Sequence, residues 1–138
     1  NKEEVLLVLN TDFIEAFYFG EHHFVNAAKY FPKDKFKGFL EQVYDGGFKV
    51  LIRHQKSFVS QYTANTPHGF YSGTKSMIYV FEKGRPIKLP VKKNMLAYFS
   101  GHKKEINKFL RKNKIKYKKA TANQLSQLFT YCDDISSK

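Results

Sequence analysis

The side chains with the most chemistry in this sequence are five histidines and one cysteine. Zinc sites combine such residues at short, regular spacings, but no histidine here has a second histidine four positions on or a cysteine at ligand distance. His22 and His23 are adjacent, so on a strand their rings would point to opposite faces. Cys132 falls on an apolar helical stripe, where a free cysteine typically packs as a small hydrophobe. We therefore predict no metal site and no cofactor.

An enzyme site in this chain would have to combine His54, His68 and Glu41, residue types that serve in general acid–base catalysis. The sequence gives no reason for these three to meet. It also contains no Gly-x-Ser-x-Gly nucleophile motif and no glycine-rich phosphate loop. We therefore rank an enzyme last and predict a non-enzymatic protein without catalytic residues.

The net positive charge of the chain is concentrated in one third of it. Residues 75–119 carry fifteen of the 24 lysines and arginines against only Glu82 and Glu105, whereas the whole chain has a net charge of +12. Segregated charge of this kind indicates a face that meets something anionic. The residues that we predict to form this face are Lys103, Lys104, Lys108, Arg111, Lys112, Lys114 and Lys116.

Several anionic partners fit such a face. Nucleic acid is favoured by the aromatic residues Tyr98, Phe99 and Tyr117, which lie among the lysines as stacking residues would. It is disfavoured by the composition, because thirteen of the fifteen cations are lysine and base recognition favours arginine. An anionic lipid, lipopolysaccharide or an acidic protein would suit a lysine-rich surface equally well.

The first ninety residues are rich in short β-type runs. We predict strands at residues 5–9, 13–19, 38–44, 48–54, 77–81 and 87–89. Asp45-Gly46-Gly47 and residues 82–85 are turn sequences, which indicates an antiparallel meander with glycines at positive φ. Charged residues at alternate positions indicate that one face of the sheet is in water. Residues 60–73 read as a long loop.

After Pro90 the apolar period becomes helical. Two short helices are expected around residues 91–99 and 103–112, with Asn113 as a left-handed cap. Thr121 and Gln124 form a capping box for a last helix with one apolar stripe, which we expect to pack on the sheet. The prediction is an α+β fold in a single domain, residues 1–138, with 1–90 mostly β and 91–138 mostly α and basic.

The second half of the chain contains a series of short motifs: residues 79–84 (YVFEKG), 92–96 (KKNML), 103–106 (KKEI), 109–115 (FLRKNKI) and the spacing of Leu125, Leu128 and Tyr131. In these motifs the chain resembles a group of small secreted proteins of Bacteroidota. The resemblance implies export through a signal peptide and residence in the periplasm, on the outer-membrane surface or outside the cell. Such proteins usually carry further strands before the position of Val5, so we expect an N-terminal part of the native chain to be missing here.

Together these features favour a structural or protein-interaction module of the cell envelope that docks on an outer-membrane or secreted partner. The alternative is a nucleic-acid-binding module that uses residues 75–119, which would place the protein in the cytoplasm. No apolar run approaches the ~18 residues that a transmembrane helix needs.

Overall fold

The structure is a computed structural model and describes residues 12–33, 37–55, 58–59, 63–65, 67–71 and 75–137. The predicted strand at residues 5–9 lies outside this part of the chain. The strands that it contains are β1 (Ala16–Phe19), β2 (His22–Asn26), β3 (Phe39–Asp45), β4 (Lys49–Gln55), β5 (Phe58–Val59), β6 (Phe70–Tyr71), β7 (Lys75–Glu82) and β8 (Arg85–Lys88). The helices are α1 (Lys92–Tyr98), α2 (Lys103–Lys112) and α3 (Ala122–Ser136).

Six strands form one antiparallel sheet in the order β1-β2-β3-β4-β7-β8, and β5 pairs with β6 in a small second sheet. Three helices follow, so the predicted α+β fold with its antiparallel meander is confirmed. The sequence prediction did not include β2, and it extended a loop over the residues that form β6.

Both predicted hairpin turns are present, but for different reasons. Lys83 and Gly84 have positive φ values of 51° and 76°, as a tight two-residue turn requires. Gly46 and Gly47 do not have positive φ. Glycine is needed at position 47 because the turn lies close to the Asp133 side chain on α3. A Cβ atom at this position would lie 2.6 Å from Oδ1 of Asp133.

The helices cover one face of the sheet and enclose the larger core. Buried residues at its centre include Val50, Val80, Met95, Leu128 and Phe129. A β-bulge between Gln42 and Tyr44 lets two successive residues of β3, Val43 and Tyr44, contact this same core. The core therefore joins the centre of the sheet to all three helices.

The opposite face of the sheet is covered too, so the prediction of a wet face is wrong. A second core of Val25, Ala27, Leu40, Leu51, Tyr79 and Phe81 lies there. The 3₁₀ turn Ala27–Lys29 carries Tyr30 and Phe31 over it, and Phe31 packs edge-on against Tyr79 and Phe81. Lys49 also belongs to this face, where its Nζ donates a hydrogen bond to the Tyr30 hydroxyl at 3.1 Å.

The helix ends follow local signals in the sequence, with one correction. The capping box is confirmed: Thr121 Oγ1 accepts from Gln124 N at 3.2 Å, and Gln124 Oε1 accepts from Thr121 N at 3.0 Å. Asn113 is not the left-handed residue after α2, because its φ is −94° and Lys114 has the positive φ of 54°. Ile115 N donates to Leu110 O at 2.9 Å, which completes a Schellman-type end one residue later than predicted.

Candidate functional site

The seven cations predicted for the anionic-partner face are all exposed. Four of them, Lys104, Lys108, Arg111 and Lys112, lie within about a third of the circumference of α2, since each helical residue turns the chain by about 100°. We call these four residues the basic stripe. The apolar side of α2 explains its orientation, because Ile106 and Leu110 are buried in the core and turn the stripe outwards.

The stripe continues into a groove beside the end of α2. Its basic lining residues are Lys92, Arg111, Lys114 and Lys116, and its apolar ones are Leu110 and Ile115. This basic groove has a volume of about 430 Å³. The left-handed backbone at Lys114 and the Schellman-type end turn the chain back there, so residues from α1, α2 and the following loop share one depression.

No carboxylate of the described residues lies within ion-pairing distance of these cations. The lysine ion pair found in the described ranges joins Lys49 to Asp45, and the histidine–carboxylate contacts join His22 and His54 to Glu41, all of them far along the chain from α2. Glu82, one of the two acidic residues within residues 75–119, accepts a hydrogen bond from the Tyr98 hydroxyl at 2.7 Å. Burial and this bond to a carboxylate raise the pKa of Tyr98. Glu105 is the one acidic residue of α2, and it forms no ion pair with the stripe, so the cations of the stripe and the groove are exposed and unpaired with any carboxylate of the described residues.

The aromatic residues that the sequence places among the cations of residues 75–119 are not exposed beside them. Phe99 and Tyr117 are each 5% exposed and belong to the core. The Tyr117 hydroxyl donates to the backbone oxygen of Leu89 at 2.6 Å, and burial raises the pKa of Tyr117. Tyr98 packs edge-on against Phe99. Two of the three rings expected to stack on bases are thus unavailable for stacking.

A second group of polar residues lies where the sheet meets the helices. Glu41 is buried, at 6% exposure, and both of its carboxylate oxygens are occupied. Oε1 lies 2.8 Å from Nε2 of His54, and Oε2 lies 2.6 Å from Nδ1 of His22. On the far side of the His54 ring, Nδ1 lies 2.9 Å from Oγ of Ser76. We call Glu41, His22, His54 and Ser76 the histidine cluster.

Strand register brings the histidine cluster together. His54 on β4 is directly opposite Ser76 on β7, and Glu41 on β3 is opposite Ile52, two residues before His54 on the same face. The structure thus brings together two of the three residues named as an enzyme site, Glu41 and His54. His68 takes no part in the cluster, and His22 and Ser76 were missed by the sequence reasoning.

The two histidines keep Glu41 ionised. Burial by itself raises the pKa of this carboxyl, but the hydrogen bonds from His54 and His22 outweigh it and hold the pKa below the ordinary value of 4.5. An ionised carboxylate only accepts hydrogen bonds. Both histidines therefore donate an N–H to Glu41.

The histidine cluster borders a cavity of about 460 Å³. Its polar side contains Glu41, His54, Ser76, Lys75 and Lys118. Its remaining lining residues are Ile52, Ile78, Pro90, Val91, Tyr117, Ala120, Ala122 and Leu125. The described residues contain no group of three histidine, cysteine or acidic side chains placed to hold a metal ion.

Two adjacent residues near the end of α3, Cys132 and Asp133, have structural roles. Cys132 is fully buried in the helix-side core, and burial raises its thiol pKa to about 12, so it packs as a hydrophobe. Asp133 holds the end of α3 to the β3–β4 turn: it accepts hydrogen bonds from the Tyr44 hydroxyl and, at 2.9 Å, from Gly47 N. These bonds explain an acidic residue at a helix C-terminus, where the helix dipole disfavours it.

Comparison of the chain with protein-family models, with curated proteins and with solved structures found no match. None of the helices formed by the described residues combines the length and the apolar character that a membrane span requires. Any function assigned to the chain therefore rests on its own residues and geometry.

Proposed function

We propose that this chain is an interaction module of the cell envelope that docks on a phosphate-bearing anionic surface through the basic stripe and the basic groove. The observation that carries the proposal is the row of exposed cations on α2, which form no ion pair with any carboxylate of the described residues. Four exposed cations share one side of a ten-residue helix, and no carboxylate of the described residues pairs with them.

The stripe repels itself in the isolated protein. Lys104 and Lys108, and Lys108 and Lys112, are like-charged pairs four residues apart, and each pair destabilises a helix by roughly 0.2–0.5 kcal/mol. A bound anion removes this repulsion and adds attraction. Each lysine close to an anionic membrane surface contributes about 1 kcal/mol to binding.

The composition of the face favours a diffuse anionic surface over a nucleic acid. Lysine provides point charges without the bidentate geometry of arginine, which suits many phosphates at variable positions. The buried rings of Phe99 and Tyr117 remove the stacking that binding of single-stranded nucleic acid uses. The apolar floor of the groove, Leu110 and Ile115, fits a phosphate that is joined to an apolar group, as in a lipid.

The test is co-sedimentation with vesicles of phosphatidylglycerol and phosphatidylcholine, with pure phosphatidylcholine vesicles as the neutral reference. The stripe variant is K104Q/K108Q/R111Q. The matched control is K29Q/K33Q/K37Q, which removes three exposed lysines outside residues 75–119 and changes the net charge equally.

The proposal predicts that the stripe variant binds about 100-fold more weakly, since three cations at about 1 kcal/mol each amount to roughly two factors of ten. The control variant should bind within a few-fold of the unaltered protein. Equal losses in both variants would show a response to net charge alone and would contradict the proposal. Tighter binding to single-stranded RNA than to vesicles, lost only in the stripe variant, would replace it with the nucleic-acid alternative.

A further inference from the structure

Ser76, His54 and Glu41 form a continuous chain of hydrogen bonds that ends at an exposed hydroxyl. Ser76 Oγ lies 2.9 Å from His54 Nδ1, and His54 Nε2 lies 2.8 Å from Glu41 Oε1. Ser76 is exposed, whereas the carboxylate at the other end is buried. A hydroxyl bonded to a base that is itself oriented by a third group is the arrangement of an activated nucleophile.

The carboxylate fixes the direction of each hydrogen bond. Ionised Glu41 can only accept, so Nε2 of His54 carries the proton of that bond. In the neutral ring the other nitrogen, Nδ1, then has a free lone pair, and the Ser76 hydroxyl donates to it. His54 is therefore held in the tautomer that can take the serine proton.

A second histidine supports this arrangement. His22 donates to the other carboxylate oxygen at 2.6 Å, so Glu41 is held from both sides and cannot turn away from His54. Glu41 reaches Ser76 only through His54, so it is a positioning residue. Glu41, His54 and Ser76 all line the cavity, but the proton of the Ser76 hydroxyl would pass only to His54.

The cavity defines the class of molecule that would meet the hydroxyl. Lys75 and Lys118 also line the cavity, so it contains cationic donors for the negative charge that a carbonyl oxygen would develop. Ile52, Ile78 and Leu125 give the rest of the wall an apolar surface. A volume of about 460 Å³ has room for a short acyl chain but not for a polymer.

We propose that Ser76 is a nucleophile that accepts the acyl group of short-chain esters, with His54 as its general base. As Ser76 Oγ forms a bond to the ester carbonyl carbon, His54 Nδ1 takes the hydroxyl proton. The bond from that carbon to the alcohol oxygen then breaks, and the proton on Nδ1 leaves with the alcohol. Water, deprotonated in turn by His54, attacks the acyl-serine, so that the carboxylic acid departs and the serine hydroxyl is restored.

The ring nitrogens have exchanged roles relative to the familiar serine–histidine–aspartate triad, in which the serine bonds to Nε2. Either imidazole nitrogen can take a proton, so the exchange changes the direction of approach and not the chemistry. This inference is independent of the anionic-surface proposal, because the histidine cluster contains none of the cations of the stripe or the groove.

The test uses a fluorophosphonate probe with peptide mass spectrometry, and hydrolysis of p-nitrophenyl butyrate as a second readout. The variants are Ser76→Ala and His54→Gln, with Ser100→Ala as the control for another exposed serine. The proposal predicts labelling at Ser76 in the unaltered protein and none at Ser100. It predicts a labelling rate about 100-fold lower in His54→Gln, the lower end of what a general base contributes.

Two results would overturn the proposal. One is the absence of labelling at Ser76 in the folded protein, and the other is a labelling rate in His54→Gln equal to that of the unaltered protein. His54 is at the surface, with its side chain 39% exposed, so its variant is expected to fold. Circular dichroism confirms folding of each variant before labelling.

Discussion

Replacing Lys114 by glycine should make the protein more stable and at the same time weaken its binding to anionic surfaces. Lys114 follows α2 with a φ of 54°, a conformation that costs an L-residue roughly 1–2 kcal/mol. Glycine adopts this conformation freely, although its greater freedom in the unfolded chain offsets about 0.5–1 kcal/mol. The net expected gain in the free energy of unfolding is about 0.5–1 kcal/mol.

The same substitution removes one of the four cations of the basic groove. At about 1 kcal/mol per lysine near an anionic surface, binding to phosphatidylglycerol vesicles should weaken about fivefold. Lys83→Gly is the matched control, because Lys83 also has a positive φ, of 51°, and carries the same charge. It lies in the turn between β7 and β8, outside the groove, so it should gain similar stability without losing affinity.

Urea unfolding followed by circular dichroism measures the stability of both variants, and vesicle co-sedimentation measures their affinity. A loss of stability in Lys114→Gly would refute the reasoning about its backbone. Unchanged affinity in Lys114→Gly, or an equal loss in Lys83→Gly, would refute the role of the groove.

Three further predictions concern the interior. Because the folded-state pKa of Glu41 lies below its ordinary value of 4.5, its ionised form stabilises the fold above pH 4.5, and this stabilisation is lost as the pH falls through the lowered pKa. Glu41→Gln should therefore have a lower free energy of unfolding in urea than the unaltered protein at pH 6. The difference in free energy between the two proteins should become smaller below pH 4.5, and a difference that does not change with pH would contradict this. Asp133→Asn should lower the free energy of unfolding by roughly 1.5–3 kcal/mol, because the hydrogen bonds to a charged group are lost. Burial and Asp133 now raise the pKa of Tyr44 to about 12, and in this variant an absorbance titration should show that pKa closer to its ordinary value. Cys132, with its pKa raised to about 12, should resist iodoacetamide at pH 8 until the protein is unfolded, and rapid modification of the folded protein would show that the core opens there.

The parts of the fold that the sequence predicts correctly depend on neighbouring residues. The turn at Lys83 and the capping box at Thr121 each need only a few adjacent side chains, and each is present. The turn after Asp45 is present as well, but its Gly47 is required by contact with the distant Asp133, which the sequence did not predict. The apolar period of α2 likewise places its lysines outside without reference to the rest of the molecule. The basic stripe was predictable for this reason.

The histidine cluster depends on strand register and so escaped the sequence analysis. His54 and Ser76 face each other across two strands separated by about twenty residues, and no local pattern sets that register. The available signal was Glu41, an acidic residue with the apolar Phe39 and Val43 two positions before and after it on the strand. A buried carboxylate needs hydrogen-bond donors, and the sequence alone does not show that His54 and His22 supply them.

The prediction of a wet sheet face failed for a related reason. Lys49 and Arg53 alternate with apolar residues on β4, which is the usual pattern of a strand with one face in water. Here Nζ of Lys49 lies over the Tyr30 ring, 5.4 Å from its centroid, so a charged residue shares the face with the second core.

The most direct test of the central proposal is lysine acetylation of the protein bound to phosphatidylglycerol vesicles, read by mass spectrometry against the unbound protein. The proposal predicts strong protection of Lys104, Lys108 and Lys112, and unchanged acetylation of Lys29 and Lys33. Uniform protection of all these lysines, or protection of Lys29 and Lys33 alone, would contradict docking through the basic stripe.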